Sequence, residues 1–292
     1  MQLMEIFNMN KTLQIPKCLT SYHLKVIAII SMLIDHFAYI PFASILGEAH
    51  SVAEGNATYG GMKQALLLWA ARHESTLWTI SDMMHWIGGL AFPLFCFLIV
   101  QGFMHTKSKG QYALRLALFA LISEVPYDMA FNGCILSLRN NNVFFTLLTG
   151  LLMIWGISET KRWLDRWSCL ENKMIGKKIL YACVIFVFAA AAAFLVTYVF
   201  DSSYGASGVI TILIIFLMQS HPALALVLST FVLALLNFSF VQLFALPSAL
   251  LVAMYNQNRG KPVKYFFYVV YPAHLLVFAW MAVWLGNWII EW

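Results

Sequence analysis

Charge is what this chain has least of. Only 11% of its 292 residues are Asp, Glu, Lys or Arg, against 61% hydrophobic residues and a mean hydropathy of +0.77. Soluble domains carry about a quarter of their residues charged, so a water-soluble globular protein is excluded. Cysteine is sparse too: Cys18, Cys96, Cys134, Cys169 and Cys183 stand at no metal-ligand spacing, which argues against both zinc and a disulfide framework. No internal repeat and no low-complexity linker divides the chain, so residues 1–292 read as one integral membrane domain. Asn56-Ala57-Thr58 has the form of a glycosylation acceptor, a three-residue pattern that carries little weight alone.

What is present is a series of apolar runs. A bilayer core is crossed by roughly 17 to 25 apolar residues in a helix, and about nine candidate stretches occur: Tyr22 to Leu46, Met84 to Met104, Gln111 to Phe131, Asn142 to Ile157, Ile179 to Phe200, Ala206 to Met218, Pro222 to Leu236, Phe240 to Tyr255 and Val263 to Ile289. The fold class is therefore an all-α polytopic membrane bundle. Cytoplasmic loops retain Lys and Arg. With the N-terminus inside and the C-terminus outside, all of the 18 basic residues fall on the inner side except Lys63, Arg72 and Arg139. The net charge of +5 thus reports orientation and points to no nucleic-acid partner. The first segment is too long for a cleavable signal peptide and lacks a small-residue cleavage site. Outside, Gly47 to Met83 is the longest connection, with an amphipathic stretch, Met62 to His73, placed to lie on the membrane surface or over a cavity mouth. Inside, Ser158 to Lys178 is basic and holds Trp163 and Trp167 at headgroup level.

Against this background, ionisable residues within the spans stand out. An Asp at the centre of a membrane helix costs about 2.5 to 3.5 kcal/mol on insertion scales, yet Asp35-His36 lies inside the first span. At about 1.5 Å rise per residue, His36 sits ~21 Å from the inner edge, in the outer half. Glu124 and Asp128 share one face of the third span at i, i+4 spacing, with Pro126 loosening the helix between them. Asn140, Asn141, Asn142 and Thr146 open the fourth span, Asp201 and Tyr204 close the fifth, and Tyr271 and His274 lie in the last. Ionisable groups at this depth face the bundle interior and pair. Hence His36, Asp35, Glu124, Asp128, Asn142 and His274 are expected to line one polar cavity. Gln101, His105, Lys107 and Arg115 form a second group at the inner face, with the charge to hold phosphates. Blander readings stand beside these: Glu124 and Asp128 as a structural ion pair with Arg115 or a histidine, His85 and His221 as interfacial side chains, and His23, His50 and His73 as solvated ones.

A histidine beside a carboxylate suits general-base work. A basic inner vestibule leading to it suits a cytoplasmic phosphorylated donor, as in acyl transfer from acyl-CoA to an acceptor outside. Proton-coupled transport is the rival, since Asp, Glu and His chains also relay protons, and an assembly scaffold is the third class.

Several ordered motifs carry a resemblance. The run Leu24 to His36, the segments Ala91 to Leu98 and Gln101 to Thr106, Tyr112 to Leu116 with Ser123 to Asp128, Asn142 to Gly150, Asp201 with Tyr204-Gly205 and Gly208-Val209, and Lys264 to Leu275 together resemble the TraX family, whose namesake acetylates the N-terminus of F-pilin. That family looks like a branch of the transmembrane acyltransferases that include the acyltransferase-3 and heparan-glucosaminide N-acetyltransferase groups. The resemblance implies a multi-pass protein of the bacterial cytoplasmic membrane that transfers acetyl from acetyl-CoA, without a metal, to a peptide, glycan or small-molecule acceptor. His36 is then the catalytic histidine, oriented by Asp35 or Glu124, with Asn142 or His274 stabilising the oxyanion. Arg115, His105, Gln101 and Lys107 hold the donor, while Asp128, Thr146, Asp201, Tyr204 and Tyr271 face the acceptor. One departure is plain: where the family pattern has Gly-Arg ahead of Ala-Phe-Pro, this chain has Gly88-Gly89.

Overall fold

The computed structural model describes residues 15–166, 174–261 and 266–285. Lys11, Trp167, Cys169, Lys173, Lys264 and both ends of the ninth apolar stretch, Val263 and Ile289, lie outside the described residues. Everything with regular structure in the rest is helical: α1 (Ser21–Phe37), α2 (Ala43–Ala53), α3 (Gly61–Arg72), α4 (Glu74–Gly88), α5 (Ala91–His105), α6 (Lys109–Tyr127), α7 (Val143–Arg166), α8 (Met174–Phe194), α9 (Gly205–Leu217), α10 (Pro222–Leu236), α11 (Pro247–Ala253) and α12 (Phe266–Leu285).

The described residues of the nine apolar stretches fall largely on helical segments. Among the described residues five helices, against the nine crossings expected, are long and apolar enough to cross a membrane: Ser21–Ala53, Glu74–His105, Val143–Arg166, Gly176–Val199 and Phe266–Leu285. Gly205–Leu217, Pro222–Leu236 and Phe240–Ala253 are apolar but shorter. The outer connection differs from expectation. Met62 to His73 is indeed a helix, α3, but α2 continues to Ala53 and α4 begins at Glu74, so most of Gly47 to Met83 is helical. A small core of its own holds α2 to α3 through Ala49, Val52, Leu67 and Ala70. Here Tyr59 donates to Glu48 at 2.5 Å, a bond that raises the Tyr59 hydroxyl above its usual pKa, and Lys63 lies over the Tyr59 ring at 3.6 Å while donating to the Leu285 carbonyl at 3.0 Å.

Local chemistry explains the breaks. Thr20 caps α1: its hydroxyl accepts from the His23 amide at 3.4 Å, and the Thr20 amide donates to His23 Nδ1 at 3.2 Å. Pro41 has no N–H to give, and the chain passes it in a widened π-helical turn, Ala38–Phe42, that joins α1 to α2. A second such turn, Asp128–Asn132, follows Pro126 at the end of α6.

α5 is the central strut, packed against α1, α7, α9 and α10, with Leu94, Cys96, Phe97 and Val100 wholly buried. By contrast, α8 lies on the rim, where Phe186, Val187 and Phe194 are exposed as lipid-facing side chains would be. Close approach of α5, α7 and α9 depends on Gly208, where a Cβ would meet Phe92 Cζ and Tyr204 Cβ at 2.9 Å and Thr146 Cγ2 at 2.5 Å. Gly208→Val is therefore expected to cost about 1–3 kcal/mol by overpacking. Gly60→Ala, in open space, should stay within roughly 0.5 kcal/mol. Thermal unfolding of both variants in detergent checks this, and equal midpoints would refute the packing role.

Candidate functional site

Adjacent residues on a helix point roughly 100° apart, and α1 uses that angle to send Asp35 and His36 to different partners. His36 turns toward α12. Its Nδ1 lies 2.7 Å from His274 Nε2, and His274 Nδ1 lies 2.8 Å from the Val270 carbonyl one turn back. Phe131 and Tyr271 meet the His36 ring edge-on at 5.2 and 6.2 Å. Asp35 instead faces α4, where His85 Nδ1 is 2.9 Å from its Oδ1 and Tyr39 covers the His85 ring at 4.1 Å. The expected orientation of His36 by Asp35 is thus replaced by a second histidine. His85, read from sequence as interfacial, is the partner that Asp35 takes. α4 comes this close because Gly88 has no side chain; a Cβ there would collide with Asp35.

Glu124 is buried and faces Asn142, whose side-chain amide donates to its Oε2 and, at 2.8 Å, to the Ala120 carbonyl. Both N–H groups of Asn142 are therefore occupied, and its Oδ1 accepts from the Phe144 amide at 2.9 Å as a cap for α7. The Asn142 amide has no donor to spare for an oxyanion. Neither Glu124 nor Asp128 forms an ion pair with Arg115 among the described residues; Glu124 Oε1 has no partner there.

The other residues expected in the polar cavity are spent on structure. Asp128 accepts from the Ser137 amide and from Asn132 Nδ2, both at 2.7 Å, and so folds the loop after α6. Thr146 bonds Ser202 at 2.6 Å, and Asp201 Oδ2 accepts from the Asn140 amide at 3.1 Å. Tyr204 stacks on Phe92 at 3.5 Å. The contacts of Asn140, Asn141, Asn142 and Thr146 with residues 200–203 zip the two segments into a clasp, in which Thr146 and Asp201 have their side-chain oxygens engaged.

The second predicted group does share a space. A cavity of about 540 Å³ opens among α1, α5, α6 and α12, and Gln101, His105, Lys107 and Arg115 all line it. Lys25, Arg259 and Lys261, which the sequence offered only as orienting charges, line it as well, and no Asp or Glu does. Arg115 reaches the Tyr268 hydroxyl, yet its buried Nε has no partner among the described residues. A buried donor without an acceptor and five cations, Lys25, Lys107, Arg115, Arg259 and Lys261, with no ion-pair partner among the described residues suit an anion. Away from the cations its wall is an apolar throat of Phe95, Met32, Leu147, Phe144 and Tyr271. His36 and His274 lie just beyond, behind the Tyr271 ring, which touches both. No cluster of three or more metal-ligating side chains occurs among the described residues.

The chain is 28% identical over 142 residues to a probable fimbrial assembly protein, FimC of serogroup H1, from Dichelobacter nodosus; the match covers 46% of this chain and 45% of that protein, less than half the length of either. No solved structure matches. A family model described as TraX protein matches residues 21–282, taking in α1 through nearly all of α12 and with them every side chain of the cavity and the histidine pair. The chain belongs to the TraX family.

Proposed function

We propose that this protein is a membrane-embedded acyltransferase of the transmembrane acyltransferase superfamily, moving an acetyl group from acetyl-CoA to an amine or hydroxyl. Its basic end faces the cytoplasm of a bacterial cell and its clasped end faces outward. The observation that carries this reading is the cationic cavity, with no acid on its wall among the described residues, that shares Tyr271 with the His36–His274 pair. Family membership and the fimbrial relative favour a peptide acceptor, a pilin-like N-terminus being the simplest.

In this reading the donor's phosphates rest among Arg115, Lys107, His105 and Lys25, with Gln101 on the cavity wall. The narrow apolar throat takes the thioester arm. Tyr271 stands between throat and dyad, so its ring swings aside for the carbonyl to reach His36. His36 then removes a proton from the acceptor nitrogen as that nitrogen bonds the carbonyl carbon; the C–S bond breaks, and the thiolate takes the proton back from His36. Acetyl thioester and amine become amide and free thiol.

Proton-coupled transport draws less support. The acids such a path would use are committed elsewhere, Asp35 to His85, Asp128 to its loop and Glu124 to Asn142.

Two measurements test the proposal. His36→Ala should abolish transfer of label from acetyl-CoA while leaving CoA affinity unchanged; turnover in this variant rejects the assignment. Charge-assisted bonds contribute about 1.5–3 kcal/mol each. Arg115→Ala should accordingly weaken CoA binding by on the order of 10-fold or more and flatten its salt dependence, and an unchanged Kd would place the donor elsewhere.

A further inference from the structure

The histidine pair carries more information than its proximity. The Val270 carbonyl can only accept a hydrogen bond, so the 2.8 Å contact requires the proton of His274 to sit on Nδ1. Neutral His274 then offers a lone pair at Nε2. The 2.7 Å contact between His274 Nε2 and His36 Nδ1 needs one proton, and only His36 can supply it. Among the described residues no carboxylate bonds either ring; Asp35 is held by His85 and Glu124 by Asn142. The pair is therefore two neutral imidazoles sharing donors and acceptors.

Ring geometry agrees. The centroids are 5.0 Å apart with planes 17° apart. With two nitrogens at 2.7 Å, that separation is one ring radius on each side of the bond. The rings thus meet edge to edge and nearly coplanar, as an N–H···N bond requires, and do not overlap face to face.

We infer that His274 is a positioning residue: anchored to the Val270 carbonyl, it fixes His36 as the Nδ1–H tautomer and leaves His36 Nε2 bare as the reacting atom. A directed chain runs from the backbone carbonyl through His274 to His36, doing for an imidazole what a carboxylate does elsewhere. It fixes both tautomer and ring orientation. Within the acyl-transfer reading on which its catalytic use rests, the acceptor's proton passes to His36 Nε2 as the nitrogen–carbon bond forms. The Nδ1–H bond to His274 persists through that step. His274 is then not the donor to the oxyanion, because its one N–H is committed to Val270.

Nitrogen-15 NMR of the full-length protein, labelled at histidine and embedded in lipid, reads the tautomer directly, with the two rings assigned by loss of signal in His36→Gln and His274→Gln. The expected result is a protonated Nδ1 and bare Nε2 on both rings; a protonated Nε2 on His36 overturns the inference. His274→Leu should let His36 redistribute between tautomers, whereas His274→Gln, whose carbonyl can accept the same proton, should keep the wild-type signature. A His36 spectrum unmoved by either change also overturns it. In turnover, His274→Leu should lower kcat by on the order of 10²-fold at unchanged KM for acetyl-CoA, with His274→Gln recovering part of the loss; equal losses in the two variants count against the inference. If the NMR result holds but the wild-type protein transfers no acetyl group, the acyl-transfer reading falls and the tautomer chain stands.

Discussion

A polar side chain placed where water is scarce must find its partner inside the protein, and α1 meets that demand twice in two consecutive residues. Asp35 and His36 leave the helix in different directions, so neither can serve the other, and each draws a separate helix inward. His85 brings α4 against α1 on one flank; His274 brings α12 on the other. α12, which helps frame the cavity, and α4, which does not, are thereby tied to α1 at one level. The absence of a side chain at Gly88 is the steric half of the same arrangement.

Much of this was legible in the sequence. The apolar runs locate the helices because a span of hydrocarbon leaves few alternatives, and the four residues read as a donor seat, Gln101, His105, Lys107 and Arg115, do meet in one cavity. They cluster because each lies within a turn or two of the same end of a helix, which linear order makes visible. His36 and His274 likewise share a depth that counting residues predicts.

What sequence order obscured was pairing. Asp35 beside His36 suggested a carboxylate–imidazole couple, but neighbours in a helix diverge, and only the packing of α4 shows His85 as the partner. Asn142, Thr146, Asp201 and Tyr204 look like site residues in a linear reading because they are polar near the ends of spans. In the fold each serves packing: Asn142 bonds Glu124 and the Ala120 carbonyl, Thr146 bonds Ser202, Asp201 accepts from the Asn140 amide and Tyr204 stacks on Phe92. Lys25, Arg259 and Lys261 were hidden for the opposite reason: a cation near a membrane face is ordinary, and only three-dimensional convergence separates a ligand-facing one from the rest.

The two widened turns after His36 and after Pro126 have a consequence for periodicity. Each inserts an additional residue into the winding, so the lipid-facing and interior stripes of α1 and α6 change register there, and the halves of each rod on either side keep independent phases. An amphipathic pattern counted straight through Pro41 or Pro126 assigns the far half to the wrong side. The same slack allows substitutions beyond the proline to re-aim whatever lies outside without rotating the imidazole below it.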